Sequence, residues 1–135
     1  MRRLPTLKYE NMNQDQQDLH DEILSGPRTQ IAGPMHTWFL NPSYGSLIEK
    51  VGAFCRFGTS LEPRLSELAI IIVARHWNAD VEWFAHSKIA IESGILQETV
   101  DAIKINKRPN FKMEDEALIY DITKSILDAR SLNDE

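Results

Sequence analysis

The sequence predicts an all-α fold, a helical bundle of about six helices joined by short loops. Two observations predict it. Apolar residues recur at three- and four-residue spacing, as in Leu47, Ile48, Val51, Phe54 and Cys55, which gathers them on one face of a helix. Proline and glycine also punctuate the chain at helix-length intervals. Pro42 and Pro63 suit first helical turns, and Gly26, Gly58 and Gly94 suit helix ends.

Residues 1–10 read as an extended lead-in, because Pro5 opposes an early helix. Residues 13–25 form a polar helix in which Asp15, Asp18, Asp21 and Glu22 surround Leu19, Ile23 and Leu24, and Ser25-Gly26-Pro27 stops it. A loop follows over 26–36, then a short apolar helical turn near 35–40. The next helix spans Pro42 to Phe57. The segment 63–77 contains Ala69-Ile70-Ile71-Ile72-Val73, which also suits a buried strand. Its length and its framing by Pro63 and Asn78 select a helix, and a helix apolar all round belongs at the centre of a core. Asn78-Ala79-Asp80 can cap an amphipathic helix that runs to Ser93. A short helix covers Gln97 to Ile105. Beyond the break at Pro109, a last helix covers Met113 to Ala129, with Ala117, Leu118, Ile122, Ile126 and Leu127 inward. There is no repeat or low-complexity tract. Residues 1–25 form a lead-in and first helix, and 26–135 form the main helical region of a single domain.

The chain of 135 residues is 42% hydrophobic and 26% charged, a globular balance. Its net charge of 15 − 20 = −5 argues against a nucleic-acid partner, and Lys104, Lys107 and Arg108 read as a solvated turn. Cys55 is the only cysteine, so no internal disulfide can form and a cysteine zinc site is not expected. Met1-Arg2-Arg3 is followed by Leu4-Pro5-Thr6-Leu7-Lys8, which is no signal-peptide apolar core. The run from Leu68 to Ala74 is too short to span a bilayer. The expectation is a cytoplasmic protein with no membrane partner.

Glu67, Glu82 and His86 carry the candidate chemistry. Glu82 and His86 are four apart, so on a helix their Cβ atoms lie about 5–6 Å apart on one face. A carboxylate beside an imidazole fixes its tautomer, and a second carboxylate from a neighbouring helix completes a proton-transfer site. The plain alternatives are a helix-terminal carboxylate for Glu67 and a packed histidine for His86. Trp77 and Trp83 equally suit a core or a subunit contact. Cys55 reads as a packed thiol on an apolar helix face. His36, His76 and His86 with Glu82 show no zinc spacing, so no metal is expected.

At residues 61–94 the chain resembles the carboxymuconolactone decarboxylase family, whose relatives include the alkylhydroperoxidase D-like proteins. The resemblance rests on Leu61-x-Pro63-Arg64-Leu65-x-Glu67-Leu68-Ala69-Ile70, then Glu82-Trp83-x-x-His86 and Ala90-x-x-x-Gly94, with Gly33-Pro34 and Asn41-Pro42 upstream. It implies an alkylhydroperoxidase D-like helical subunit that assembles as a trimer or hexamer, with active sites near subunit contacts. The peroxidase branch of that family carries Cys-x-x-Cys in the second helix. Here those positions are Ala79 and Glu82, and a dithiol cycle cannot run without its thiols. The pattern therefore resembles the decarboxylase-type branch. Members of that branch continue past the last helix with another, so a chain ending at Ser131-Leu132-Asn133-Asp134-Glu135 is expected to be a short member or a fragment.

The resemblance implies decarboxylation of a small carboxylated lactone or keto acid with no cofactor, the substrate supplying its own electron sink. In that scheme His86 is the general acid/base, Glu82 orients it, and Glu67, with a raised pKa, relays the proton. Arg64 and Arg75 are candidate holders of a substrate carboxylate, and Trp83 a candidate substrate contact. The alternatives are peroxidase activity, disfavoured by the missing thiols, and a non-catalytic helical assembly protein.

Overall fold

A computed structural model describes residues 6–132, and these are helix and connecting loop with no strand. Met1 to Pro5, including the proline expected to oppose an early helix, and Asn133 to Glu135 lie outside the described residues. The chain divides into two compact units, Met1–Thr59 and Ser60–Glu135.

In the first unit a 3-10 turn, Tyr9–Asn11, leads into helix α1, Gln14–Ser25. Asn13 caps α1 reciprocally: its side chain accepts from the Gln16 amide, and the Gln16 side chain accepts from the Asn13 amide. Leu19 and Ile23 of α1 are buried against Met12 and Phe39. Phe39 belongs to a longer 3-10 segment, Gly33–Leu40, which precedes α2, Pro42–Ala53. Pro42 occupies the first turn of α2 and the Asn41 side chain accepts from the Tyr44 amide. Because α1 and α2 pack together, the first helix and the region that follows residue 25 meet within this unit.

Gly45 marks the closest approach of α2 to its neighbours: a Cβ there would lie 2.8 Å from both the Leu19 side chain and Trp38 Cβ. The helix expected to reach Phe57 changes its winding at Phe54, where Phe54–Gly58 form a π turn. Its apolar face is not its buried face. Leu47, Val51, Phe54 and Cys55 are exposed, so the thiol is not packed in a core. Gly45 and Glu49 are the buried residues of α2, and Glu49 accepts from Arg28 Nε at 2.7 Å.

The second unit comprises α3, Pro63–His76, α4, Asp80–Glu92, α5, Gln97–Lys104, and α6, Glu114–Ala129. Its core gathers Leu68, Ile71 and Ile72 of α3 with Ala90, Val100 and Ile103. Burying each large aliphatic side chain contributes about 1.5–3 kcal/mol, which outweighs the strand propensity of the Ile70–Val73 run and makes it helix. α3 packs on α4, α5 and α6 in turn.

All four helices here end on a left-handed residue, α6 on Arg130 (φ 56°) and the others on an asparagine or glycine. Asn78 (φ 52°), Gly94 (φ 110°) and Asn106 (φ 55°) follow α3, α4 and α5. The next amide in each case bonds back to the helix: Ala79 to Ala74, Ile95 to Ala90 and Lys107 to Ala102. Asn78 thus terminates α3, and the residue before α4 is Ala79, whose side chain makes no cap. Nor is α4 amphipathic as expected, since only Ala90 is fully buried while Val81 and Phe84 are exposed. On α6 the buried residues are Glu116 and Tyr120; of the expected inward residues Leu127 packs against the core and Ala117 is half-buried, whereas Leu118, Ile122 and Ile126 are exposed. Among the described residues no helix is long and apolar enough to cross a membrane.

Candidate acid–base site

Glu67 stands in the second turn of α3 and His86 in the middle of α4. The α3–α4 packing brings them together, with His86 Nδ1 2.6 Å from Glu67 Oε2. Both side chains are largely withdrawn from water, at 4% exposure for Glu67 and 13% for His86. A carboxylate offers only acceptor oxygens, so the proton of this hydrogen bond is assigned to Nδ1. On the other side of the ring, His86 Nε2 lies 3.4 Å from Glu82 Oε2, and that carboxylate is 44% exposed.

This geometry distributes the two carboxylates differently from the sequence expectation. Glu67, shielded and close, is the carboxylate hydrogen-bonded to the imidazole. Glu82, one helical turn from His86 and half in solvent, faces the other ring nitrogen. The reason is positional: two long side chains one turn apart meet at their tips, whereas Glu67 reaches the ring across a helix interface.

The remaining candidates go elsewhere. Arg64 donates through Nη1 to Glu116 Oε1 at 2.7 Å and through both terminal nitrogens to Asp115. The hydrogen bond from Arg64 holds the Asp115 carboxyl below its ordinary pKa, and Asp115 in turn raises that of Arg64. A guanidinium so occupied does not await a substrate carboxylate. Arg75 donates from Nε to the Lys104 carbonyl at 2.7 Å and from Nη1 to the Asn78 side chain. Trp83 is half-buried against the core. It shares with Arg75 a cavity of about 210 Å³ whose lining includes neither Glu67 nor His86.

Sequence reading missed two features. Asp115 and Glu116 lie more than fifty positions from Arg64 in sequence, so no local spacing could have paired them. A hollow of about 310 Å³ lies along α3 and the start of α4, walled by Ile70, Val73, Trp77 and Ala79, with Glu82 at its edge. The surplus of apolar residues on α3 was its signal, and it reads equally as an all-round buried helix. Among the described residues no three His, Cys, Asp or Glu side chains converge as metal ligands. No protein-family model, curated protein or solved structure matches this chain.

Proposed function

We propose that the chain is a carboxymuconolactone decarboxylase-like enzyme, moving a proton in the cofactor-free decarboxylation of a small carboxylated lactone or keto acid. The observation that supports it is the buried Glu67–His86 hydrogen bond, with Nε2 facing a half-exposed carboxylate beside an apolar hollow. The resemblance of residues 61–94 to that family points the same way.

In this reading the apolar part of the substrate occupies the hollow next to Glu82. The bond from the substrate carboxylate to its carbon breaks, carbon dioxide leaves, and the electron pair passes into the adjacent carbonyl as an enolate. His86 delivers a proton from Nε2 to the carbon, and the imidazole regains one through Glu82 from solvent. Glu67 keeps Nδ1 protonated and stabilises the imidazolium before transfer. An apolar wall and a nearby anion both disfavour a bound carboxylate more than neutral carbon dioxide, which works toward its loss. No arginine is needed at the leaving group, in keeping with the engagement of Arg64 by Asp115 and Glu116.

The test is carbon dioxide release from a panel of carboxylated lactones and β-keto acids, comparing the parent with His86→Gln. General acid–base catalysis is worth about 10²–10⁴-fold, so turnover should fall by that factor in the variant. A panel with no His86-dependent turnover overturns the proposal. Alkylating the exposed Cys55 should leave turnover unchanged, whereas its loss would favour thiol peroxidase chemistry.

A further inference from the structure

A second crevice, of about 270 Å³, opens where the end of α3 meets α5 and α6. Its floor is apolar, from Ile72, Ile103 and the ring of Tyr120. Arg75, His76 and Lys124 stand around it. So do Asn78 and Asn106, the two left-handed residues that close α3 and α5. Neither Glu67, Glu82 nor His86 contributes to it.

The charges around it do not balance. Among the described residues Asp128 is the carboxylate paired with these basic groups, 3.0 Å from Lys124 Nζ and 3.8 Å from His76 Nδ1. Counting lysine, arginine and carboxylate charges alone, Arg75 and Lys124 against Asp128 leave 2 − 1 = +1 in a chain whose total on the same count is −5. The nearby Arg108 is already paired with Asp121. Donors also remain over. A guanidinium has five N–H groups, and Arg75 uses one from Nε on Lys104 and one from Nη1 on Asn78. Those two bonds fix the plane of the guanidinium at the wall of the crevice. The Tyr120 hydroxyl has no hydrogen-bond partner among the described residues, and it is not sealed from solvent.

We infer that this crevice binds a small carboxylate with an apolar body, the carboxylate between Arg75 and Lys124 and the body on Ile72 and Ile103. A carboxylate can accept from the guanidinium N–H groups left over and gains charge-assisted hydrogen bonds. The apolar floor has no use for a bare inorganic anion. Burying a methylene-sized group on it contributes about 0.8 kcal/mol, so an aromatic or branched acid is favoured over phosphate. The site is separate from the acid–base pair and stands whether or not that pair is catalytic.

The experiment is a titration of the ¹⁵N-labelled full chain with benzoate at neutral pH, followed by amide and side-chain resonances. The side-chain amides of Asn78 and Asn106 should shift saturably, and inorganic phosphate should bind more weakly. Lys124→Ala should weaken benzoate by up to about fivefold, the worth of one partly exposed charge pair. Tyr120→Phe should weaken it by less, and His86→Gln should leave it unchanged. Arg75→Ala removes a hydrogen bond that also closes α5, so Lys124→Ala carries the test if that variant misfolds. Shifts that do not saturate, or an affinity indifferent to Lys124→Ala, overturn the site. Phosphate binding as tight as benzoate overturns the assignment of an apolar-bodied acid.

Discussion

Arg64 and Glu67 lie three residues apart on α3, and each belongs to a buried ion pair of opposite character. Arg64 holds Glu116, which is 3% exposed, and the arginine never yields its proton. Glu67 is as deeply buried, but its partner His86 is an imidazole rather than a guanidinium. The first pair is a lock between α3 and α6, and the second is the pair proposed above to move a proton. The difference lies in the nitrogen partner, a guanidinium in one and an imidazole in the other, since exposure and distance are nearly the same.

The largest expected effect follows from opening the lock. Arg64→Ala leaves the buried Glu116 without its cation and should cost about 3–5 kcal/mol in urea unfolding. Replacing both partners, Arg64→Met with Glu116→Leu, should recover most of that loss, because desolvation of the ions is removed with them. A double variant no more stable than the single would mean that α6 is held chiefly by something else.

The site pair should respond less in stability and more in activity. Glu67→Gln keeps an acceptor but removes the charge that stabilises the imidazolium. It should cost about 1.5–3 kcal/mol, as for a hydrogen bond to a charged group, and lower turnover strongly. Glu82→Ala, at a half-exposed carboxylate, should cost under about 1 kcal/mol and lower turnover by less than Glu67→Gln. Equal effects of the two on turnover would return Glu82 to the orienting role.

The smallest effect is on the acid limb of stability. The hydrogen bond from Arg64 lowers the folded pKa of Asp115 below its unfolded value of roughly 3.9. Its contribution is therefore fully present above that unfolded value and is lost as pH falls through the lower folded one. Stability measured across this window should fall less steeply in Arg64→Ala than in the parent, whereas an unchanged slope would remove Asp115 from the account.

The helices themselves were legible, because Pro42, Pro63, Gly26 and Gly94 punctuate the chain and the spacing between them is helical. Glu67, Glu82 and His86 were legible too, two from their four-residue spacing and the third from its place on an apolar helix. Which apolar faces are buried was not. Leu47, Val51 and Phe54 repeat as a core stripe should, yet Gly45 and Glu49 face inward instead, because close contact with Leu19 and Trp38 admits only a glycine. Leu118, Ile122 and Ile126 misled for another reason, since α6 is apolar on more than one side and Tyr120 takes the core position. The fate of Arg64 was also hidden, because its partners come from a helix far along the sequence.

The first measurement is the ¹⁵N spectrum of the His86 imidazole, recorded across pH in the parent and in Glu67→Gln. The neutral ring of the parent should carry its proton on Nδ1, held by Glu67, with Nε2 unprotonated. The variant should lose that preference. A parent ring protonated on Nε2, or a tautomer mixture that Glu67→Gln does not alter, would contradict the role given to this pair.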